Sequence, residues 1–239
     1  MKNWKTKNGC KICQVLNRRS NAYLICSENG NILVDTGRES AYNQLQKNIA
    51  ALNLKPENID LLILTHTHYD HCQNAFSIKE QVECKILMSE YEAAYSKSGF
   101  TPLPKGTFAI ARLIVNLGNR LGQSRFGYKS FIPDMLVTDE LDLTTFNVSI
   151  ISTGGHSAGS ISVIVDNEVA IVGDAMLGVF KESVFPPFAD DTNEMVKSWG
   201  RLLETKCHTF LPGHGNAIKR ELLQSEYDKY VQKYNMQKQ

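Results

Sequence analysis

The sequence has little net charge and no long hydrophobic run, and each absence argues against a class of protein. With 26 basic and 25 acidic residues, the formal net charge is +1, so no overall field recruits nucleic acid or an anionic membrane. No apolar stretch is long enough to span a bilayer, and the N-terminus lacks the apolar core of a signal peptide. We therefore expect a soluble cytoplasmic protein with no nucleic-acid or membrane partner. Nothing in the sequence indicates its oligomeric state.

Cysteines are few and scattered. The 239-residue chain has six of them and is too large to need a disulfide framework, so we expect reduced thiols. Cys10 and Cys13 form a C-x-x-C pair, but no second pair completes a zinc site, and we interpret both as plain thiols at a sheet edge. Cys72 adjoins a histidine-rich stretch, and we interpret it as a small buried apolar residue.

Strands and helices are expected in two similar halves with no linker between them, which favours a single α/β domain over residues 1–239. Short apolar runs predict strands, and apolar residues at helical spacing predict helices. The expected strands lie at 11–16, 22–27, 31–37, 61–64, 85–88, 146–153, 161–166, 168–174 and 208–212. The expected helices lie at 42–52, 89–95, 108–117, 193–204 and 221–234.

Residues from about 97 to 139 interrupt this pattern. Prolines and glycines surround one apolar stretch, FAIARLIVNL, which predicts a helix inside an insertion between the two halves. Two interpretations stay open. The insertion is a lid or pocket wall over the active site, since long irregular segments often carry function, or it is an extra helix packed on the core.

The stretch LTHTHYDHCQN at 64–74 contains half of the chain's six histidines. It follows LLIL, which has the pattern of a strand buried on both faces. If the chain stays extended, alternate residues share a face, so His66, His68 and Asp70 converge on one point. His71 breaks the alternation and aims at a second point beside Asp70. The pattern predicts two adjacent metal centres.

Three further candidate ligands also follow apolar strands: His156 in GGHSAGS, Asp174 in VGDA and His214 in GHG. Small neighbours let the backbone bend sharply at these places, and open α/β folds place their sites at strand ends. Each residue alone has an ordinary interpretation, as a hydrogen-bonded loop histidine or a helix N-cap. Together with HTHYDH they favour a metal site, because buried imidazoles and carboxylates need partners.

In this order and spacing, the motifs resemble those of the metallo-β-lactamase-fold superfamily over essentially the whole chain. The matching pieces are DTG at 35–37, HTHYDH at 66–71, GGHSAGS at 154–160, GD at 173–174 and GHG at 213–215. The resemblance implies a four-layer αβ/βα sandwich with two metal ions at one edge.

The resemblance also implies a set of seven metal ligands at motif positions. They are His66, His68 and His156 for the first metal, Asp70, His71 and His214 for the second, and Asp174 between the two. Asp70 would in addition act in catalysis, by orienting the nucleophile and relaying a proton, and Asp35 would support the ligand loop. Zinc fits both sites best, although iron or manganese also fits, and two such ions supply hydroxide near neutral pH.

The complete ligand set resembles that of the glyoxalase II and lactonase branches, which implies a metal-dependent hydrolase of a small-molecule carbonyl substrate: a thioester, lactone or ester. A true β-lactamase is disfavoured, because the chain looks cytoplasmic and its ligand set belongs with those branches. Alternatives remain: an iron-dependent persulfide dioxygenase, a phosphodiesterase, or a metal-binding scaffold without turnover. Two interpretations stay open for the residues around the substrate. Phe180, Phe185 and Phe188 form an apolar pocket wall and an arginine of the 97–139 insertion meets a substrate carboxylate, or the aromatic residues fill the core and the arginines lie on the solvated surface.

Overall fold

The computed structural model describes residues 1–236, with the side chains of 119, 121, 123, 235 and 236 excepted. The first half of the chain forms a seven-stranded sheet whose strands lie side by side in chain order. Its strands are β1 (Asn3–Lys5), β2 (Lys11–Asn17), β3 (Asn21–Ser27), β4 (Gly30–Val34), β5 (Leu61–Ile63), β6 (Lys85–Ser89) and β7 (Met135–Val137). The first four strands pair antiparallel, whereas β4 to β7 pair parallel.

The second half forms a six-stranded sheet in the order β13-β12-β11-β10-β9-β8. Its strands are β8 (Glu140–Leu143), β9 (Val148–Ser152), β10 (Ile161–Val165), β11 (Val169–Gly173), β12 (Thr209–Pro212) and β13 (Ile218–Lys219). Strands β9 and β11 both run antiparallel to β10, and β12 runs parallel to β11. The ends of β9, β11 and β12 therefore meet at one edge of the sheet.

Seven α-helices occur in the described residues. They are α1 (Tyr42–Ala50), α2 (Tyr69–Cys72), α3 (Ala75–Val82), α4 (Ala93–Ser98), α5 (Ala109–Phe126), α6 (Thr192–Glu204) and α7 (Arg220–Met236). Helices α1 and α3 pack on the outer face of the first sheet, and α6 and α7 pack on that of the second. Alternate residues of β3 show the layering, because Tyr23 packs between the two sheets and Leu24 packs under α1 and α3. A third core joins the second sheet to α6 and α7 around the buried Trp199. These three cores separate four layers, so the expected αβ/βα sandwich is confirmed.

The expected strands and long helices are present, and the structure adds elements that the sequence pattern did not predict. The additions are β1, α2, α3, β7, β8 and β13, most of which are short. Because β1 pairs with β2, the placement of Cys13 on a sheet edge is wrong. All six cysteines are free thiols, as expected, and five of them, Cys26 excepted, are buried.

The segment 97–139 contains the expected helix, α5, which is interrupted by a non-helical residue, Gly122. The segment is not wholly outside the sandwich, since β7 pairs parallel with β6 and extends the first sheet. No helix within residues 1–236 is long and apolar enough to cross a membrane.

Candidate metal centre

The candidate ligands lie where the strand ends of the two sheets meet. His66 and His68 follow β5, and His156 follows β9. Asp174 comes directly after β11, and His214 follows β12. The two edges are joined by the main chain, because the amide of Ile161 donates to the carbonyl of Thr65 at 2.9 Å. The fold thus brings residues up to 148 positions apart in the sequence, from His66 to His214, to one place.

The backbone of HTHYDH changes conformation at His68. His68 is extended, with φ −63° and ψ 142°, and the single helical turn α2 begins at Tyr69. The expectation that Asp70 shares a point with His66 and His68, which assumed an extended chain, is therefore wrong. The turn instead directs Asp70 and His71 together towards His214.

Two groups of side chains result, and the atoms of each lie within 4.8 Å of one another. The three-histidine group consists of His66, His68 and His156. The mixed group consists of Asp70, His71 and His214. Either could hold a metal ion, since imidazole nitrogens and carboxylate oxygens are the usual protein ligands of divalent metals.

Asp174 lies between the two groups. Its Oδ1 is 3.4 Å from His71 Nε2, and its Oδ2 is 3.3 Å from His214 Nε2 and 3.7 Å from His156 Nε2. It also forms a set of potential ligand atoms with His66 and His71. One carboxylate thus faces members of both groups.

Each of the five histidines turns one ring nitrogen towards the cluster and the other towards a fixed oxygen. The outward nitrogens contact the oxygens of Thr65, Pro102, Asp35, Phe188 and Arg19, for His66, His68, His71, His156 and His214 respectively. Metal-binding histidines are oriented in this way, because the outer hydrogen bond fixes both the tautomer and the ring plane. We assign the proton to the outward nitrogen in each case, which leaves the inner nitrogen as a lone-pair donor.

Asp35 is the acceptor that connects several of these hydrogen bonds. It accepts from the amide and the hydroxyl of Thr65, each at 2.8 Å, and from His71 Nδ1 at 2.9 Å. Since Thr65 Oγ1 in turn lies 3.1 Å from His66 Nδ1, one buried carboxylate supports a histidine of each group. The supporting role expected for Asp35 agrees with these contacts.

Glu92 is a second buried carboxylate, and the sequence pattern did not indicate it. It is 1% exposed and accepts from the amide of Thr67 at 3.1 Å, from the Thr67 hydroxyl, and from Ser157 Oγ at 2.7 Å. Thr67 separates His66 from His68, and Ser157 follows His156. Glu92 therefore connects the two loops that supply the three-histidine group. No spacing in the sequence relates it to either loop.

Close backbone packing at the cluster requires glycine at two positions. Gly173 has φ +50°, and a Cβ there would lie 2.6 Å from Thr65 Oγ1. A Cβ at Gly213 would collide with the carboxylate of Asp174 and lie 2.6 Å from the ring of His71. Both glycines let the second sheet approach the histidine loop of the first.

The electrostatic environments of the two groups are opposite. Burial lowers the pKa of His68 and of His156 to about 4. Burial also acts to lower the pKa of His71, but the carboxylates of Asp174 and Asp35 outweigh it and raise that pKa to about 10. The three-histidine group thus favours neutral imidazoles, and the mixed group favours positive charge, either as protons or as a bound cation.

Unsatisfied polar atoms point to the same place. Within the described part of the chain, three buried side-chain nitrogen or oxygen atoms have no hydrogen-bond partner: His66 Nε2, Asp174 Oδ1 and Arg38 Nε. The first two belong to the cluster and are 1% and 8% exposed at the residue level. Because orphaned buried acceptors are costly, a cation that accepts their lone pairs fits this site.

A pocket of about 420 Å³ opens over the cluster. Its apolar walls come from Leu103 and Pro104 on one side and from the segment 177–188 on the other. The two walls are tied together, since the amide of Thr107 donates to Pro187 O at 2.9 Å. The site therefore combines a polar floor with an apolar enclosure, as in small-molecule sites.

The expected pocket residues are correct in part. Phe180 and Phe188 line the pocket, whereas Phe185 stacks on Tyr230 with ring centroids 4.4 Å apart and belongs to the core under α6. The arginine among the described lining residues is Arg38, not one from the 97–139 insertion. Its guanidinium lies 4.8 Å from the ring centroid of Tyr69 and donates to the Tyr69 hydroxyl. The sequence pattern assigns no role to Arg38 or Tyr69.

The comparisons with known proteins agree with the fold. A solved metallo-β-lactamase from Cronobacter sakazakii with a HARLDQ motif superposes with a TM-score of 0.69 at 17% identity, covering 99% of this chain and 94% of that one. A probable metallo-hydrolase of Methanocaldococcus jannaschii is 32% identical over 157 residues, 66% of this chain and 67% of that protein. The hydroxyacylglutathione hydrolase GloC of Haemophilus influenzae is 29% identical over 174 residues, 70% of this chain and 71% of that protein.

A family model described as the metallo-beta-lactamase superfamily matches residues 16–214. The matched region contains both ligand groups, Asp174, Asp35 and Glu92. Sequence match, four-layer architecture and the position of the histidine and aspartate cluster all agree, and the chain belongs to the metallo-β-lactamase superfamily.

Proposed function

We propose that this protein is a metal-dependent hydrolase that uses two divalent metal ions, zinc in both sites, to cleave a small thioester, lactone or ester. The observation that carries the proposal is the orientation of the five histidines, each with one nitrogen anchored outward and the other aimed at a buried cluster. Such anchoring is what a metal site needs and a loop histidine does not. The relationship to a hydroxyacylglutathione hydrolase supports the choice of a carbonyl substrate.

Each of the two groups would bind one metal ion. His66, His68 and His156 would hold one ion with neutral ligands, and the mixed group with its carboxylate would hold the other. Asp174 faces both groups and would be shared. Bound there, the ions would supply hydroxide near neutral pH and polarise the substrate carbonyl.

Asp70 is the residue we assign to proton transfer. It lies in the pocket floor with Oδ2 3.5 Å from His214 Nε2, and its main-chain oxygen is held by the hydroxyl of Ser20. In hydrolysis a new carbon–oxygen bond forms from water and the bond to the leaving sulfur or oxygen breaks. The proton lost by the water would pass through the carboxylate of Asp70 to the leaving atom.

The walls of the pocket would position the acyl part of the substrate and exclude water. Phe180, Phe188 and Leu103 present apolar surface towards the cluster. Pro102 contributes the carbonyl that contacts His68 Nε2 at 3.2 Å. The segment 97–139 would therefore act as a pocket wall that also orients a ligand, the first of the two interpretations left open by the sequence.

The test is metal analysis combined with a substrate panel. Protein purified without chelators and loaded with zinc should bind two ions per chain and hydrolyse members of a panel of thioesters, lactones and esters. Fewer than one ion per chain, or unchanged activity in His66→Ala and His156→Ala variants, would refute the proposal. Iron in the protein as isolated, together with oxygen uptake on glutathione persulfide, would replace it with the dioxygenase alternative. Turnover of phosphodiesters alone would favour the phosphodiesterase.

A further inference from the structure

A second cavity lies next to the pocket over the metal ligands. It has a volume of about 580 Å³ and opens between the β2–β3 turn and the start of α1. Three arginines line it, Arg18, Arg19 and Arg38, and the other lining side chains are amides, hydroxyls and apolar groups. No aspartate or glutamate is among the described lining residues. The cavity thus concentrates charge of one sign in a chain whose net charge is only +1.

The guanidinium groups are not neutralised by the protein. No carboxylate lies within 4.0 Å of any of the three in the part of the chain that the structure describes. By contrast, Arg201 on α6 pairs with Asp139 at 2.7 Å and Glu140 at 3.3 Å. Arg38 Nε is buried and has no hydrogen-bond partner among the residues that the structure describes. A buried guanidinium nitrogen of this kind lacks an acceptor, and an oxyanion is the acceptor that it binds best.

Arg38 connects the two cavities. It lines both the arginine-lined cavity and the pocket over the candidate ligands. The turn that carries the other two arginines is also fixed relative to the ligands, because Arg19 O accepts from His214 Nδ1 and the Ser20 hydroxyl donates to Asp70 O. Since Arg38 borders both cavities, a substrate that extends from the cluster towards Arg38 would approach the second cavity.

We propose that the arginine-lined cavity binds an oxyanion, a phosphate or a carboxylate, on a part of the substrate remote from the carbonyl that is cleaved. The inference rests on the proposed hydrolase function and narrows its substrate class to compounds with an anionic tail. Guanidinium groups bind phosphate and carboxylate through paired N–H donors. Three of them around one concave space raise the local concentration of anions. The volume lies in the range of small-ligand sites.

The experiment separates binding from turnover with thioether probes, which cannot be hydrolysed. S-methyl coenzyme A carries phosphates, S-methylglutathione carries carboxylates, and S-methyl-N-acetylcysteamine is neutral. Titration calorimetry on the full-length, zinc-loaded protein should show that at least one anionic probe binds about tenfold or more tightly than the neutral one, the effect of one or two charge-assisted hydrogen bonds. Which anionic probe binds more tightly identifies phosphate or carboxylate as the tail.

Arginine variants test whether the preference for anionic probes comes from this cavity. In R18Q/R19Q, whose positions are exposed, and in R38Q, the ratio of anionic to neutral affinity should fall at least threefold, and in the control R201Q it should not change. Equal binding of all three probes overturns the inference, as does a ratio that survives both arginine variants. Tighter binding of a short single-stranded oligonucleotide than of either anionic probe overturns it in favour of nucleic acid.

Turnover is measured separately with the acetyl thioesters of the same three thiols. An affinity ratio that depends on the arginines, with no hydrolysis of any thioester, lactone or ester, would support the oxyanion site and refute the hydrolase. Hydrolysis of all three thioesters with equal kcat/KM, together with equal binding of the probes, would support the hydrolase and refute the oxyanion site.

Discussion

The three-histidine group and the mixed group are neighbours that are built in different ways. The first is the more deeply buried, with His66, His68 and His156 at 1%, 5% and 3% exposure, although His68 and His156 also line the pocket. The second is more exposed at two of its members, since the side chains of His214 and Asp70 are 23% and 15% exposed, whereas His71 is fully buried. Burial depresses the histidine pKa values in the first, whereas carboxylates raise those of His71 and His214 in the second. Burial therefore dominates the histidine pKa values of the three-histidine group, and carboxylate charge dominates those of the mixed group.

The buried carboxylates that support the two groups, Glu92 and Asp35, also differ in how they act. Glu92 holds the backbone and hydroxyls of the loops around the three-histidine group and contacts no candidate ligand directly. Asp35 bonds directly to His71 and only through Thr65 to His66. A change at Glu92 should therefore act on loop geometry, and a change at Asp35 should act on a ligand itself.

Removing the charge that the two groups share should have the largest effect. Asp174→Asn keeps the shape of the side chain but loses the negative charge that faces His71, His156 and His214. We expect kcat/KM for the substrate found in the panel to fall about 1000-fold, the equivalent of roughly 4 kcal/mol of lost electrostatic stabilisation. Metal analysis should show fewer than two ions per chain.

Asp228→Asn on α7 is the matched control, since among the described residues this exposed carboxylate accepts a hydrogen bond only from Gln224 Nε2. It should keep both metal content and activity. Two ions per chain and activity within tenfold of wild type in Asp174→Asn would show that the two groups do not share this residue.

Substitution of Asp35 should separate the two groups. An asparagine offers one acceptor oxygen to three donors, so at least one of Thr65 N, Thr65 Oγ1 and His71 Nδ1 loses its partner. We expect Asp35→Asn to weaken metal binding to the mixed group by about 10- to 100-fold, with a smaller effect on the three-histidine group. Competition titration with a chromophoric chelator would resolve the two binding steps.

Asp60→Asn is the control for this experiment. Asp60 accepts from the amide of Asn31 at 2.7 Å and, in the described part of the chain, forms no hydrogen bond or ion pair with a candidate ligand. Equal weakening of both binding steps in Asp35→Asn would contradict the comparison, because it would mean that Asp35 supports the two groups alike.

Much of the fold followed from local pattern. The long strands alternate between two cores, as β3 does with Tyr23 and Leu24, and amphipathic α6 begins where Asp191 accepts from the amides of Asn193 and Glu194. The shortest strands were not predicted, because a strand of two or three residues, such as β13, is too short to show a hydrophobic period. They form only when the rest of the sheet offers a partner.

The candidate ligands were identifiable because their residue types are rare and their neighbours are small. Their grouping was harder to predict from alternation alone, since α2 turns the chain after His68 and moves Asp70 into the mixed group. Glu92 and Arg38 had no signal, because their roles depend on contacts with Thr67, Ser157 and Tyr69 that only the folded chain creates. Local sequence pattern therefore predicts secondary structure, whereas the residues that orient the candidate ligands are identified only by their tertiary contacts.

A smaller effect is expected at Glu92, and it should fall on the three-histidine group and not on the mixed group. In Glu92→Gln an amide replaces the carboxylate that accepts from Thr67 and Ser157, and its NH₂ group faces a donor. We expect binding to the three-histidine group to weaken about tenfold, at the lower end for residues that orient ligands. The free energy of unfolding should fall by about 1–3 kcal/mol, because a buried donor loses its acceptor.

The exposed Glu90 in the same turn provides the control Glu90→Gln. Chelator titration and chemical denaturation of both variants distinguish positioning from stability. A loss of stability with both binding steps unchanged would mean that Glu92 has a structural role only.

The smallest effect should come from Cys72, although it lies next to His71. Its thiol is fully buried and donates to Thr67 O at 3.2 Å, and burial raises its pKa well above the usual thiol range. A thiol of this kind is a poor metal ligand, because only the thiolate binds metals well. Cys72→Ala should therefore change neither binding step by more than about twofold and should cost about 1 kcal/mol of stability. The buried Cys84 gives the matched variant Cys84→Ala. The contrary result would be loss of a metal ion in Cys72→Ala but not in Cys84→Ala. Cys72 would then be a metal ligand, and the two groups of histidines and carboxylates would not be the complete ligand set.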